Sequence, residues 1–331
     1  MKPNRNYYFD NIKAWLIILV VLGHFIEPLI ENKFFLILYT VVYAFHMPMF
    51  AFASGFYSKP SLKGLKSLFK TFITFQVVYG IFMLLIFIIF PQNHATIEST
   101  STTLEILDII PLAFTPYWLL WYLLSLIFWR LLLFIFNKSH LMIIIAILLS
   151  IFIGIVDIDG RTLSYSRTIS LFPFFLLGYY LTESNLSLVR TFFKKKYACF
   201  LLITITLILW ICYYFNANHE LFYYANNFEE LGCTLTGGFA LKVLTLLISF
   251  FTSLVFMLIV SEKKSMLSNI GKETLNIYLY HGFIYWIIYS FGFYTYLQTT
   301  NLLFQVIIII ALTMSSVYSL SKIFKNRRYY E

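Results

Sequence analysis

Charge is scarce in this 331-residue chain: Asp, Glu, Lys and Arg together make up only 12% of it, whereas hydrophobic residues make up 60%. A soluble domain is about half apolar and about a quarter charged. The 37 Phe and 25 Tyr residues add more aromatic surface than a water-soluble fold can bury. The composition therefore excludes a soluble enzyme, a nucleic-acid-binding domain and a disordered chain, and it predicts an integral membrane protein.

Cysteine and long polar stretches are also scarce. The three cysteines (Cys199, Cys212 and Cys233) are odd in number and match no metal-ligand spacing, so we expect neither a disulfide scaffold nor a metal site. The longest polar stretch, residues 91–116, is too short to form a domain. We therefore expect one transmembrane domain over residues 1–331 and no soluble domain.

Long apolar runs fill the rest of the chain. Ten segments have the length that a helix needs to cross the hydrocarbon core, and they predict an all-α bundle of about ten transmembrane helices. The first segment lacks a small-residue cleavage site, so we interpret it as a retained helix rather than a signal peptide. The predicted spans are 12–30, 34–57, 67–90, 117–136, 140–156, 168–183, 197–215, 239–260, 273–292 and 301–321.

The basic residues predict the orientation of the bundle. With ten spans and a cytoplasmic N-terminus, only four of the 24 Lys and Arg residues fall outside: Lys33, Arg161, Arg167 and Lys242. Cytoplasmic loops are enriched in Lys and Arg. Both termini are therefore predicted to be cytoplasmic in a multi-pass protein of the cell membrane, and the net charge of +9 is explained without a nucleic-acid partner.

Three histidines fall inside predicted spans. At about 1.5 Å per helical residue, His24, His46 and His281 lie roughly 12–16 Å from the inner edge of a ~30 Å core, so three helices present them at nearly one depth. Polar groups at this depth are costly and are functional candidates by default. The alternative is that each histidine only forms a structural hydrogen bond to a neighbouring helix.

The first predicted helix carries further polar residues on one face. Lys13 and His24 are eleven positions apart, which is about three turns, and Asp10 and Glu27 lie within about 60° of the same stripe. The four residues predict a polar track along the helix. For Asp10 and Lys13 an interfacial ion pair is the alternative, because a lysine side chain can reach the interface from within the membrane.

The second predicted helix combines a proline with small residues. Pro48 removes a backbone hydrogen bond and should kink the helix just below His46. Ser54 and Gly55 allow another backbone or a ligand to approach closely. A tight helix crossing through these small residues is the alternative to a binding role.

Five stretches, taken together and in order, resemble the acyltransferase-3 family of integral-membrane O-acyltransferases, in the branch similar to fucose 4-O-acetylases. Many family members have Arg at the position of Lys13, and Lys cannot form the paired hydrogen bonds that Arg forms with a phosphate or carboxylate. The stretches are Arg5, Asp10 and Lys13 with LVVLGH at 19–24; FHMP at 45–48 with SGF at 54–56; WLLWYL at 118–123 with Trp129 and Arg130; Arg167 with FPFFLLGYY at 172–180; and LNIYLYH at 275–281.

The resemblance implies transfer of an acyl group, usually acetyl, from a cytoplasmic acyl-CoA to a hydroxyl of a cell-surface polysaccharide or its lipid-linked precursor. No permanently bound cofactor is implied, since acetyl-CoA or another acyl-CoA is a co-substrate. An alcohol that attacks a thioester needs a base that titrates near neutral pH, and histidine provides one. His24 is the predicted base, and His46 is a second candidate that positions or carries the acyl group. Asp10 and Lys13 orient the cytoplasmic end of the track or contact the CoA phosphates.

The remaining candidates bind the substrates. Ser54, Gly55 and three lysines suit the CoA nucleotide, although positive-inside topology explains the lysines equally well. Arg167 holds an acidic acceptor or pairs with Asp157 or Asp159. The predicted donor residues are Ser54, Gly55, Lys59, Lys63 and Lys66, and the predicted acceptor residues are Glu27, Trp118, Trp121, Arg167, Asn276 and His281.

Two other functions fit a basic-inside membrane protein. A flippase or exporter of glycan-lipid would spread charged residues over several helices, whereas here the intramembrane polar groups concentrate on the first, second and ninth predicted helices. An inactive sensor protein is the third interpretation. The acyltransferase hypothesis predicts acyl-CoA, a glycan or glycolipid acceptor, the lipid bilayer and polysaccharide-assembly proteins as partners.

Overall fold

The computed structural model describes residues 7–91, 115–135, 139–156, 162–192, 201–202, 205–206 and 219–327, and within these ranges the regular structure is entirely helical. The predicted all-α class is confirmed for this part of the chain. The helices are α1 (Tyr7–Ile26), α2 (Lys33–Tyr57), α3 (Leu62–Ile89), α4 (Trp121–Ile135), α5 (His140–Phe152), α6 (Tyr165–Tyr180), α7 (Glu183–Phe192), α8 (Leu235–Ile259), α9 (Met266–Ile270), α10 (Thr274–Ser290), α11 (Phe293–Gln298) and α12 (Leu302–Arg327).

Within the described residues, six helical stretches are long and apolar enough to cross a membrane. They are Tyr7–Leu29, Lys33–Tyr57, Leu62–Ile89, Trp118–Ile135, Leu235–Ile259 and Leu302–Lys325, and each coincides with a predicted span. The predicted spans 140–156, 168–183 and 273–292 correspond to the shorter helices α5, α6 and α10. The predicted span 197–215 lies almost wholly outside the described residues, so the count of ten stays a prediction.

Side-chain caps fix where several helices begin. Asn32, Ser61 and Thr234 each accept a hydrogen bond from a backbone N–H in the first turn of α2, α3 and α8. These N–H groups have no partner within the helix, so a capping oxygen stabilises the start. α1 begins at Tyr7, five residues before the predicted span, because Tyr8 and Phe9 are buried against neighbouring elements and extend the helix beyond its apolar run.

α2 lies at the centre of the bundle and α3 at its edge. In the most apolar 18-residue stretch of α2, 67% is buried inside the protein, compared with 17% in the corresponding stretch of α3. α2 continues as one helix through Pro48 and packs most extensively on α6. α1 and α2 are joined by a short turn and pack together, so they run side by side in opposite directions through the centre.

Glycines allow a close backbone contact between α2 and α6. A Cβ on Gly55 would lie 1.9 Å from the carbonyl oxygen of Phe175, and a Cβ on Gly178 would lie 1.9 Å from that of Phe52. Only residues without a side chain allow two helix backbones to approach this closely. The tight crossing therefore explains why a glycine stands at position 55. The neighbouring Ser54 lines a cavity, whereas Gly55 does not.

Candidate functional site

α1 carries an ionic pair at each end of its predicted polar track. Near the start, Lys13 Nζ lies 3.1 Å from Asp10 Oδ1, and at the other end His24 Nδ1 lies 3.4 Å from Glu27 Oε2. Glu27 follows α1 in a short 3₁₀ turn, which brings its carboxylate back towards the imidazole. The structure thus places all four track residues on α1 and the turn after it, as two separate pairs.

Each pair lies at a different cavity. Lys13 of the first pair lines one cavity, and both members of the second pair, His24 and Glu27, line the other. The His24 cavity has a volume of about 480 Å³ and is lined by His24, Glu27 and a largely aromatic wall. The cavity holds the predicted acceptor residues Trp118, Trp121 and Arg167. The rest of the wall includes Tyr39, Tyr43, Met47, Tyr117, Leu119, Tyr223 and Tyr224.

Two rings hold the imidazole of His24 in place. The centroid of the Trp118 ring lies 4.3 Å from that of His24, and the ring of His281 stacks on it at 5.4 Å and 25°. The backbone of Trp118 has a φ of 21°, which bulky residues rarely adopt. Strained backbone of this kind concentrates at functional sites, and here it lies in the residue that packs on the candidate base.

The two ring nitrogens of His24 have different surroundings. His24 Nδ1 faces the Glu27 carboxylate at 3.4 Å, and carboxylate oxygens accept hydrogen bonds, so the Nδ1–H tautomer fits this contact and leaves a lone pair on Nε2. This is the tautomer that a general base needs, with the acidic partner stabilising the imidazolium that forms when Nε2 takes up a proton. The sequence pattern placed Glu27 in the polar track and predicted it as an acceptor residue. In the structure its carboxylate lies beside Nδ1 of His24, which makes it a candidate orienting partner.

The other two histidines of predicted spans, His46 and His281, each form a hydrogen bond to backbone through one ring nitrogen. His46 Nδ1–H donates to the Val42 carbonyl at 2.8 Å, and His281 Nδ1–H donates to the Ile277 carbonyl at 3.0 Å. His281 is fully buried, and its Nε2 is without a hydrogen-bond partner within the described residues. His46 lines neither cavity, so its contacts match the structural alternative for this histidine.

Arg167 supplies the positive charge of the His24 cavity. Its guanidinium lies 4.9 Å from the centre of the Trp121 ring, and its Nε–H donates to the Tyr223 carbonyl at 3.2 Å. The proposed partners Asp157 and Asp159 lie outside the described residues. The hydroxyls of Tyr39 and Tyr223 share a hydrogen bond of 2.9 Å, and burial raises the pKa of Tyr223, which keeps its phenol neutral.

A second cavity, the Lys13 cavity, lies nearer the start of α1 and the end of α2 than the His24 cavity does. Its volume is about 510 Å³, and the cations among its lining residues are Lys13, Arg130 and Lys272. Ser54 also lines it, and its hydroxyl lies 2.7 Å from the Tyr122 hydroxyl. This cavity therefore combines concentrated positive charge with hydroxyl groups, a chemistry that suits phosphate oxygens.

Sequence reasoning missed Arg130 and Lys272 as site residues, because positive-inside topology already explained both charges. One signal was available for Arg130: Tyr122, Leu126 and Arg130 are four residues apart, so they share the face of α4 that lines the cavity. Arg130 Nε is buried and has no hydrogen-bond partner in the part of the chain that the structure describes. Because Arg130 lines the cavity, its guanidinium is a candidate contact for an anionic ligand there.

The predicted donor lysines lie elsewhere. Lys59, Lys63 and Lys66 are exposed and are not among the lining residues. α3 reaches the cavity through Gly64, Ser67, Leu68 and Thr71 instead. Asn276, predicted as an acceptor residue, donates a hydrogen bond to Glu273 near the start of α10 and lines neither cavity.

The two cavities have one lining residue in common among the described residues, Met47. In the part of the chain that the structure describes, a helical bundle thus holds a histidine–carboxylate pair in one cavity and three cations in another. The family model for the acyltransferase domain matches residues 6–321, and the chain belongs to this acyltransferase-3 family. The family that the five motifs resemble is thereby confirmed, whereas the branch similar to fucose 4-O-acetylases stays a prediction.

One curated relative and the solved structures complete the comparison. The chain is 26% identical over 200 residues to nodulation protein NolL of Sinorhizobium fredii (strain NBRC 101917 / NGR234), an alignment that covers 58% of this chain and 53% of that protein. The chain thus spans about half the length of the curated relative it matches. No solved structure matches the chain.

Proposed function

We propose that the protein is a membrane O-acyltransferase, in the first instance an O-acetyltransferase. It moves an acyl group from acyl-CoA to a hydroxyl of a cell-surface polysaccharide or its lipid-linked precursor in the bacterial cell membrane. The observation that carries this proposal is the His24–Glu27 pair in an aromatic cavity. Nε2 of His24 keeps its lone pair while Nδ1–H is engaged by the carboxylate at 3.4 Å.

The reaction needs one proton to move twice. His24 Nε2 takes the proton from the acceptor hydroxyl as the oxygen attacks the acyl carbon of the thioester. The bond between that carbon and sulfur then breaks, and the proton passes from His24 to the departing CoA sulfur. A positioned acid–base group of this kind contributes typically 10²–10⁴-fold to the rate. Glu27 stabilises the imidazolium that exists between the two transfers.

The acyl-CoA donor is assigned to the Lys13 cavity. Lys13, Arg130 and Lys272 line it, and these three cations match the phosphate groups of CoA. Arg presents a planar fork of donors and is well suited to phosphate. The position of Arg130 in the cavity wall supports the assignment, because its guanidinium places a fixed positive charge beside the space where the phosphates would lie. Lys59, Lys63 and Lys66 then serve the topology of the loop.

The acceptor is assigned to the His24 cavity. Trp118, Trp121 and several tyrosines line it, and aromatic faces with polar edges suit a ring that is apolar on one side and carries hydroxyl groups. Arg167 adds a positive charge beside Trp121. A glycan hydroxyl held there lies in the same cavity as His24.

Mass analysis of surface glycans tests the reaction class in cells. Glycans from cells that contain the gene should carry an increment equal to one acyl group, and glycans from cells without the gene should lack it. Complementation with the wild-type gene should restore the increment, and complementation with His24→Gln should not. Glycans of identical mass from cells with and without the gene would contradict the proposal.

A further inference from the structure

Met47 occupies the junction between the two cavities. α1 presents Val20 to the Lys13 cavity and His24, four residues later, to the His24 cavity. α2 runs back along α1 and presents Tyr43 to the His24 cavity and Phe50 to the Lys13 cavity. Met47 lies between them and lines both.

A third segment, around the start of α4, also contributes residues to both cavities. Leu119 lines the His24 cavity, and Leu123, one turn further along the chain, lines the Lys13 cavity. Leu119, Leu123 and Val20 are nearly fully buried, whereas Met47 is half-buried because it faces both spaces. The junction is therefore an apolar collar whose one unbranched, flexible member is a methionine.

The chemistry places the acyl group at this collar. The phosphates of the donor lie by the cations of the Lys13 cavity, and the acyl carbon has to meet a hydroxyl in the His24 cavity. The acyl carbon and its substituent must then lie where the cavities meet, against Met47. We propose that Met47 sets the length of the acyl group that the enzyme transfers, so that it admits acetyl and excludes longer chains. This inference rests on the proposed acyltransferase function.

Methionine suits this role, because its unbranched thioether fills irregular space between buried side chains. Replacement by Ala removes Cγ, Sδ and Cε and opens room for an acyl chain about two carbons longer than acetyl. A single methylene in a hydrophobic pocket changes discrimination by about 10–200-fold. The change in acyl preference is therefore large enough to measure.

The experiment compares Met47→Ala with wild type on acetyl-CoA and butyryl-CoA, using the full-length protein purified in detergent and its glycan acceptor. We expect the ratio of kcat/KM for butyryl-CoA to that for acetyl-CoA to rise at least about tenfold. Met49→Ala is the matched control. Met49 lies two residues further along α2, is buried, and lines a separate apolar groove with Phe52 and Phe174, so its ratio should stay at the wild-type value.

Met47→Phe tests the same inference by narrowing the collar and does not depend on Met47→Ala folding. It should lower kcat with acetyl-CoA while KM for acetyl-CoA stays within about twofold, because the donor phosphates are bound elsewhere. Equal ratios in Met47→Ala and Met49→Ala would overturn the inference, as would full acetyl transfer by Met47→Phe or a wild-type protein that uses both donors equally. A wild type that transfers no acyl group from either donor would overturn the proposed function itself.

Discussion

In the proposed mechanism His24 and Glu27 act together, because Nδ1 of the imidazole faces the Glu27 carboxylate. Glu27 engages Nδ1, and the rings of Trp118 and His281 pack against the imidazole at 4.3 and 5.4 Å. The imidazole is thereby held in one tautomer and one plane. The sequence identified His24 because an ionisable group deep in an apolar helix is costly, but it gave no reason to separate Glu27 from other polar residues near the helix end.

Replacing Glu27 by Gln tests this pairing. The amide cannot stabilise an imidazolium, so we expect kcat to fall at least about tenfold while KM for acyl-CoA changes little. Glu31→Gln is the matched control, since this exposed acid lies one turn away and lines neither cavity. Steady-state kinetics of CoA release measures both variants. Equal kcat values for Glu27→Gln and wild type would remove Glu27 from the mechanism.

A second prediction concerns acyl-CoA binding by the cations that line the Lys13 cavity. Arg130→Gln should raise the KM for acyl-CoA about tenfold or more, because a charge-assisted contact to phosphate contributes about 1.5–3 kcal/mol. The triple variant with Gln at Lys59, Lys63 and Lys66 should keep KM near wild type if it inserts correctly, since these lysines are exposed outside the cavity. A raised KM in the triple variant together with a wild-type KM in Arg130→Gln would instead assign the donor to these three lysines, before and at the start of α3.

Sequence reasoning could find the acceptor residues more easily than the donor residues. Trp118, Trp121 and Arg167 belong to recognisable motifs, and the structure brings all three into the His24 cavity. Lys272 has no local pattern that separates it from the topological lysines, because its place in the cavity depends on how α9 and α10 pack against α1. Contacts between distant segments of this kind cannot be read from spacing along one helix.

At the scale of helices, the crossing of α2 and α6 fixes the cavities. Gly55 and Gly178 each lie against a backbone carbonyl of the other helix. Ser54, next to Gly55, then points into the Lys13 cavity and meets Tyr122. The sequence left binding and close packing open for the Ser54–Gly55 pair. In the structure Gly55 provides the close packing, and Ser54 lines the cavity.

Gly178→Ala tests the crossing. A Cβ 1.9 Å from the Phe52 carbonyl oxygen forces the two helices apart, and overpacking of this kind costs about 1–3 kcal/mol or more. We expect a clearly lower Tm in detergent by a thermal-unfolding assay. Gly80→Ala is the control, because its nearest neighbour would be the Tyr117 ring at 3.5 Å, an ordinary contact. A Gly178→Ala protein as stable as Gly80→Ala would mean that the crossing is looser than described.

At the scale of the whole molecule, hydropathy predicted the helices well and their ends poorly. Each described candidate span coincides with a predicted one, because long apolar runs in a membrane can satisfy their backbone only as helices. The ends differ because buried aromatic residues extend α1 to Tyr7 and because α12 continues through polar residues to Arg327. The sequence gives no information on how the helices group around two cavities, since that depends on contacts between segments distant in the chain.

The orientation of the bundle is a separate prediction, based on the distribution of Lys and Arg. Reporter fusions within residues 218–230 should lie outside the cell, and fusions directly after Lys195 should lie in the cytoplasm. Fusions at the two termini should also report the cytoplasm. A cytoplasmic signal from 218–230 would contradict both the orientation and the count of ten spans.

The proposed role of His24 as the base of an acyl transfer is tested by the kinetics of two histidine variants. Purified full-length protein is supplied with acetyl-CoA and glycan acceptor, and CoA release is followed. His24→Gln cannot take up a proton and should lower kcat by roughly 10²–10⁴-fold. His46→Gln can still donate to the Val42 carbonyl and should retain most of the activity. A folded His24→Gln protein that releases CoA at the wild-type rate, or a His46→Gln protein that loses as much as His24→Gln, would contradict the account.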